Sequence, residues 1–202
     1  MSRPGAGLAA ALTFLMAATV AAAQDPATLR HADNLRVKIS AIAERGDEVS
    51  SRQVAARTTV TEPELNGYLA VEVAADLPAG VVSPSVSMLG AGRAIGRATV
   101  DLDRVRRSIG ATSVLNPISY LRGQLPVVAT GTLRTGDGIA RLQFESATIG
   151  GVPVPKVVLQ QIVSHYSKSE RFPSGISLDD PFTLPARIRE IQVERGLAVV
   201  IQ

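Results

Sequence analysis

Two stretches of strict alternation, each turned back on itself at a glycine-rich corner, constrain this chain more than any other feature. Val82 to Leu89 and Arg93 to Leu102 flank Gly90-Ala91-Gly92, while Gln124 to Arg134 and Ile139 to Ile149 flank Thr135-Gly136-Asp137-Gly138. Alternation places successive side chains on opposite faces of a strand, and glycine supplies the positive φ that a tight turn requires. Two antiparallel hairpins are expected, the second carrying the stronger signal. Gly96 and Gly131, inside strands, predict bulges or bends of the kind a strongly curved sheet needs.

The other segments read as helices and short strands. Leu35, Ile39 and Ile42, spaced by four and three, predict a helix from Pro26 to Arg45 with Gly46 as its stop. Arg52 to Val60 alternates and reads as a strand. Thr61-Glu62-Pro63-Glu64 combines an N-cap threonine, an early proline and first-turn acids, so a helix is expected to about Asp76 with Leu65, Leu69 and Val73 as its buried stripe and Tyr68 beside it. Ser113 to Leu121, with Asn116-Pro117, predicts a helical turn and a crossing. A further helix is expected from Lys156 to about Lys168, with Val158, Leu159, Ile162, Val163 and Tyr166 along one side. Ile188 to Glu194 and Leu197 to Ile201 predict a terminal hairpin around Arg195-Gly196. Short links between neighbours favour one antiparallel sheet with helices on one face, an α+β class.

The first residues predict export. Arg3, an apolar core from Leu8 to Val20 and the small residues Ala21-Ala22-Ala23 have the three parts of a cleavable signal peptide, with cleavage before Gln24. The apolar core runs only about 13 residues, short of the roughly 20 that a spanning helix needs. The expected product, Gln24 to Gln202, is a single periplasmic or secreted domain. With Cys 0 in the chain, neither disulfides nor lipid attachment at a cysteine can contribute, and stability must come from the core and backbone pairing. Loss of Arg3 lowers the formal charge from +3 to +2, which implies no nucleic-acid partner. Basic residues do gather at Arg104, Arg106 and Arg107, a corner suited to transient contact with an anionic membrane surface.

Tests for reactive constellations return ordinary explanations. His31 and His165 lack metal-ligand spacing, and no metal or cofactor is implied. No G-x-S-x-G elbow occurs; Gly110-Ala111-Thr112-Ser113 does not match it. Gly90 to Gly96 imitates a dinucleotide fingerprint but joins two strands rather than a strand and a helix. The carboxylate pairs Glu62/Glu64, Asp101/Asp103 and Asp179/Asp180 could in principle supply an acid and a base. Their positions in a helix cap, at a strand end and before Pro181 explain each without catalysis. No enzyme is expected. Aromatic stacking platforms of the kind carbohydrate and single-stranded nucleic acid use are scarce too, with Phe144, Phe172, Phe182, Tyr68, Tyr120 and Tyr166 the only aromatics after Gln24. The apolar faces suit an aliphatic guest, for which each buried methylene contributes about 0.8 kcal/mol, or they pack on one another.

Taken in order, the signal peptide, "VTEPELNGYLA", "ATVDLD", "VVATGTLRTGDGIARLQFESATIGGVPVP", the following helix and "DDPFTLPARIREIQVERGLAVVIQ" resemble small exported bacterial proteins of the BPI-like or TULIP type. The resemblance covers most of the chain after Gln24 by order of elements. It implies a strongly curved antiparallel sheet wrapped around or packed against one or two long amphipathic helices, with a groove for lipid tails between them. It further implies a groove lining of Leu65, Leu69, Val73, Val100, Leu102, Leu142, Phe144, Val158, Ile162 and Tyr166, and no catalytic residue. A lipid-binding or lipid-transfer protein is the first functional expectation. A non-enzymatic structural or partner-binding module of the cell envelope is the alternative, and a hydrolase using a carboxylate pair ranks third.

Overall fold

Asp25 caps the first helix, its Oδ1 accepting from the Ala27 amide at 3.2 Å, and Pro26 follows where a missing N–H costs nothing. In the computed structural model, which describes residues 25–48, 55–74, 76–77, 80–104, 123–166 and 177–202, this helix α1 spans Pro26–Asp47. The expected signal peptide, Ser113 to Leu121, and the first residues of the Arg52 strand lie outside the described residues. After α1 come β1 (Arg57–Thr61), α2 (Glu62–Tyr68), a π-helical turn (Leu69–Val73), β2 (Val81–Gly90), β3 (Arg93–Asp101), β4 (Gln124–Gly136) and β5 (Ile139–Ile149). Then follow β6 (Val152–Pro153), α3 (Lys156–Tyr166), β7 (Phe182–Thr183), β8 (Glu190–Glu194) and β9 (Leu197–Ile201).

The class is α+β with antiparallel pairing throughout the described strands, but the strands form two open sheets rather than the single one expected. One sheet has the order β1-β9-β8; the other runs β2-β3-β4-β5-β6, with β7 also pairing β5. The split arises because β1 pairs with the far end of the chain, Arg57 opposite Ile201 and Thr61 opposite Leu197, instead of with its neighbour in sequence. The sheets meet at a seam where Leu89 bridges Arg195, Gly196 N donates to Met88 O at 3.0 Å, and Gly92 N donates to Val193 O at 3.0 Å.

Both expected hairpins form, with tighter turns than the glycine clusters suggested. Ala91-Gly92 (φ 53° and 81°) and Asp137-Gly138 (φ 51° and 77°) are two-residue turns with both residues left-handed, the geometry that matches strand twist. Thr135 and Gly136 therefore belong to the ladder, opposite Ala140 and Ile139. The terminal hairpin closes at Arg195-Gly196 as expected, with Glu194 opposite Leu197.

Of the two predicted strand irregularities, Gly96 sits in regular register between Val86 and Ala129, so no bulge occurs there. At Gly131 the β4–β5 register does shift, Thr130 facing Ser146 and Gly131 facing Phe144. The extra residue is Glu145, on the partner strand. Because side chains alternate with period two, that single residue resets which face every residue from Ile139 to Phe144 presents.

The main core lies where α1 crosses the small sheet and the end of the β4–β5 hairpin. Leu35, Ile42, Val60, Ala140, Leu184, Ile188 and Val200 form it, with Leu65, Tyr68, Leu133, Ala186 and Ile191 packed around. On α1 the buried stripe is Ala32, Leu35, Ile42 and Gly46, and Ile39 is 40% exposed, contrary to the expected Leu35-Ile39-Ile42 edge. The narrow stripe follows from close approach, since a Cβ on Gly46 would stand 2.6 Å from Ala186 Cα and one on Gly67 would stand 2.8 Å from His31 Cβ. Small residues bring α1 against its neighbours along one line, and Ile39 lies off that line. The helix expected to run to Asp76 changes character after Tyr68, where the wider π-helical turn takes over.

Candidate functional site

The register of the large sheet sorts its residues into two unlike faces, since residues directly opposite one another point the same way. On one face stand Val81, Val86 and Met88 of β2, then Ala94, Gly96, Ala98 and Val100 of β3. Leu125, Val127, Ala129, Gly131 and Leu133 of β4 continue it, followed by Leu142, Phe144, Ala147 and Ile149 of β5. Every one of these is apolar. Only at the hairpin end does a polar residue enter, and the Thr135 hydroxyl there both accepts from Ile191 N and donates to Ile191 O, each at 2.9 Å. The opposite face carries Ser85, Ser87, Arg93, Arg97, Thr132, Arg134, Arg141 and Gln143 among a few apolar residues.

Along the centre of the apolar face the side chains are small: Ala94, Gly96 and Ala98 on β3 lie beside Ala129 and Gly131 on β4, with Ala147 beyond. Longer side chains, Val81, Val100, Leu125 and Ile149 at one end and Met88, Leu133 and Phe144 at the other, stand around them. The result is a shallow aliphatic trough. A Cβ built on Gly96 meets no heavy atom within 4 Å, so the floor at that point faces open space. Met88 and Ala147 are buried, most of the rest are half-buried, and Leu142 is 38% exposed.

The sequence-predicted lining falls into three groups. Val100, Leu142 and Phe144 are brought together on this face. Leu65 packs against the main core, Leu69 and Val73 are half-buried on the π-helical turn, and Leu102 is buried just beyond β3 with its amide bonded to Gly123 O at 3.0 Å. On α3, which touches β5, Val158 is 43% exposed; the side chains of Ile162 and Tyr166 lie outside the described residues. Sequence reasoning missed Ala94, Gly96, Ala98, Ala129, Gly131 and Ala147 as the trough floor. Counting residue pairs back from the Ala91-Gly92 turn would have misplaced those of β3, because the register shifts between Gly90 and Met88, which leaves Met88 opposite Ala94 and Val86 opposite Gly96.

Glu62, Glu64, Asp101, Asp103 and Asp179 of the three carboxylate pairs have structural partners. Glu62 Oε2 accepts from Met88 N at 2.7 Å, and one helical turn later the Asn66 amide accepts from Val86 N at 2.7 Å and donates to Val86 O at 2.9 Å. Helix α2 thus satisfies the outer edge of β2, which would otherwise present unpaired backbone. Glu64 instead closes a capping box with Thr61 and takes the Lys38 ammonium on both oxygens at 2.7 Å, tying α2 to α1. Burial, to 7% exposure, pushes the Glu64 carboxyl up; the Lys38 hydrogen bond, the Thr61 bonds and the Lys38 charge outweigh it and hold the group below its ordinary 4.5. Asp101 accepts from Arg104 N at 3.0 Å, Asp103 accepts from Gly123 N at 3.4 Å, and Asp179 pairs with Lys156. Among the described residues no group of three or more His, Asp or Glu could hold a metal ion.

Among the described residues no helix is long and apolar enough to cross a membrane. Comparison with protein-family models, with curated proteins and with solved structures finds no match. What the fold and the site define is therefore a class by geometry alone: an α+β protein with a two-faced antiparallel sheet, one face a continuous aliphatic trough.

Proposed function

We propose that this chain is an exported lipid-binding or lipid-transfer protein that holds acyl chains against the apolar face of the large sheet. The observation that carries the reading is the trough itself, apolar across four strands up to Thr135 at the hairpin end and open above Gly96. Small residues along its centre leave room for an acyl chain, which gains about 0.8 kcal/mol for each methylene withdrawn from water. In this reading the protein is of the BPI-like or TULIP type, with the curved sheet and an amphipathic helix enclosing the guest. Val100, Leu142 and Phe144 line it from the sheet, and Leu69, Val73, Val158, Ile162 and Tyr166 from the helical side. The amino-terminal residues act as a cleaved signal peptide, and the domain from Gln24 works in the periplasm or outside the cell. Arg104, Arg106 and Arg107 provide the transient contact with an anionic membrane from which a lipid would be taken.

Native mass spectrometry of protein purified from its own host tests this. A bound species of lipid mass, replaceable by a fluorescent fatty acid, is the expected result. Protein that carries no lipid and binds no such probe would sink the proposal and favour the envelope partner-binding alternative.

A further inference from the structure

The polar face of the same sheet holds a second feature, unrelated to the trough. At its hairpin end, beside the seam between the sheets, lies an open cleft of about 540 Å³ lined by Arg93, Thr132, Arg134 and Arg195 and by the Gly90-Ala91 corner. Arg93 comes from β3, Thr132 and Arg134 from β4, and Arg195 from the terminal turn, held in place by its bridge to Leu89. Residues far apart in sequence are thus gathered by the fold.

The charges in this cleft are unevenly answered. Glu145, the bulge residue, pairs with Arg93 at 2.9 Å and accepts from the Thr132 hydroxyl at 2.7 Å, so Arg93 is neutralised. Arg134 gives its Nε to the neutral amide of Gln143 at 2.7 Å and makes no ion pair among the described residues. Arg195 likewise has no ion pair among them, and it is exposed. Directly opposite Arg134 across the ladder stands Arg141, also exposed and also without an ion pair among the described residues. Like charges directly opposite one another destabilise a sheet, and nothing in the packing requires two arginines there. Arg134 lines the cleft and Arg141 does not, so an anion seated in the cleft would offset the repulsion at Arg134 from one side. Guanidinium groups present planar pairs of N–H donors that match phosphate oxygens two at a time.

We infer that the cleft between Arg134 and Arg195 is a phosphate-binding site, for a free phosphate group or for the headgroup of an anionic phospholipid. It stands independently of the trough, because its residues project from the other side of the sheet. A ligand seated in the trough does not reach it through the sheet.

The test uses the mature full chain and two probes: inorganic phosphate, and vesicles of phosphatidylcholine with or without an equal part of phosphatidylglycerol. Binding of at least one anionic probe is expected, weakening with salt as surface charge interactions do. In the double variant Arg134→Gln/Arg195→Gln that binding should fall about thirtyfold, the effect of removing two surface cations. Thermal unfolding and fatty-acid binding should be unchanged. Arg36→Gln, which removes an exposed arginine on α1 already paired with Asp33 and Glu72, serves as the charge control and should bind as the wild type does. Loss of phosphate binding assigns the site to a free phosphate group; loss confined to phosphatidylglycerol vesicles assigns it to a headgroup. The inference is overturned if neither probe binds, if the double variant binds like the wild type, or if Arg36→Gln loses as much.

Discussion

The two sheets of this protein are built from the same alternating pattern and end in opposite conditions. In the small sheet the apolar side has a partner, with Val60 and Val200 buried against Leu35 and Ile42 of α1. In the large sheet the apolar side is longer and more uniform, yet most of its residues are only half-buried and Leu142 is 38% exposed. Pattern specifies which side of a strand is apolar; it does not specify what will cover it. The small sheet uses its apolar face to hold the fold together, and the large sheet keeps one in reserve.

That contrast makes the effects of substitution unequal in a defined order. Leu35→Ala, in the closed core, should cost about 3 kcal/mol by urea unfolding, whereas Leu142→Ala on the open face should cost under about 1 kcal/mol. Equal losses would abolish the distinction between the sheets. Next comes Gly67→Ala at the crossing of α1 and α2, where the new methyl would meet His31 Cβ at 2.8 Å and Thr28 O at 2.9 Å; about 2 kcal/mol should be lost. A stability no lower than wild type would show that the helices can part.

The Glu64 tie between α1 and α2 should show in pH dependence. Because the carboxyl is held below 4.5 in the folded protein, its contribution is complete above that pH and is lost as the pH falls through the lowered folded value. Glu64→Gln should therefore be less stable than wild type at neutral pH, by about 1 kcal/mol for a weakened cap. The gap should narrow in acid, as unfolding curves recorded from neutral to acid pH would reveal. A gap that widens in acid has the wrong sign for this account. Smallest in stability is Gly96→Leu, which places a side chain where there is open space and should shift unfolding by less than about 0.5 kcal/mol. The same change should weaken a fluorescent fatty acid about tenfold if the trough is occupied as proposed, one tenth of the affinity corresponding to roughly two lost methylene contacts.

Local chemistry made much of the fold legible. Both hairpins, the Pro26 start of α1 and the Thr61 cap are written in adjacent residues, and they stand close to where the sequence puts them. What was not legible depends on distant partners. Nothing near Arg57 announces Ile201 as its neighbour, so the division into two sheets was hidden. Glu62 and Glu64 looked like a helix cap, yet their reach to Met88 and Lys38 depends on how α2 is placed. Of the candidate site, Val100, Leu142 and Phe144 were found because alternation marks them as apolar, while the floor was missed because alanine and glycine carry little hydrophobic signal. Their importance lies in what they leave empty.

The bulge at Glu145 gives the second hairpin an arithmetic of its own. Deleting that residue would close the bulge into a regular ladder with Gly131 still opposite Phe144 and Thr130 still opposite Ser146, so Leu142 and Phe144 would keep their places in the trough. Only the outer wall would change, because Arg93 and Thr132 would lose the carboxylate that now answers them both.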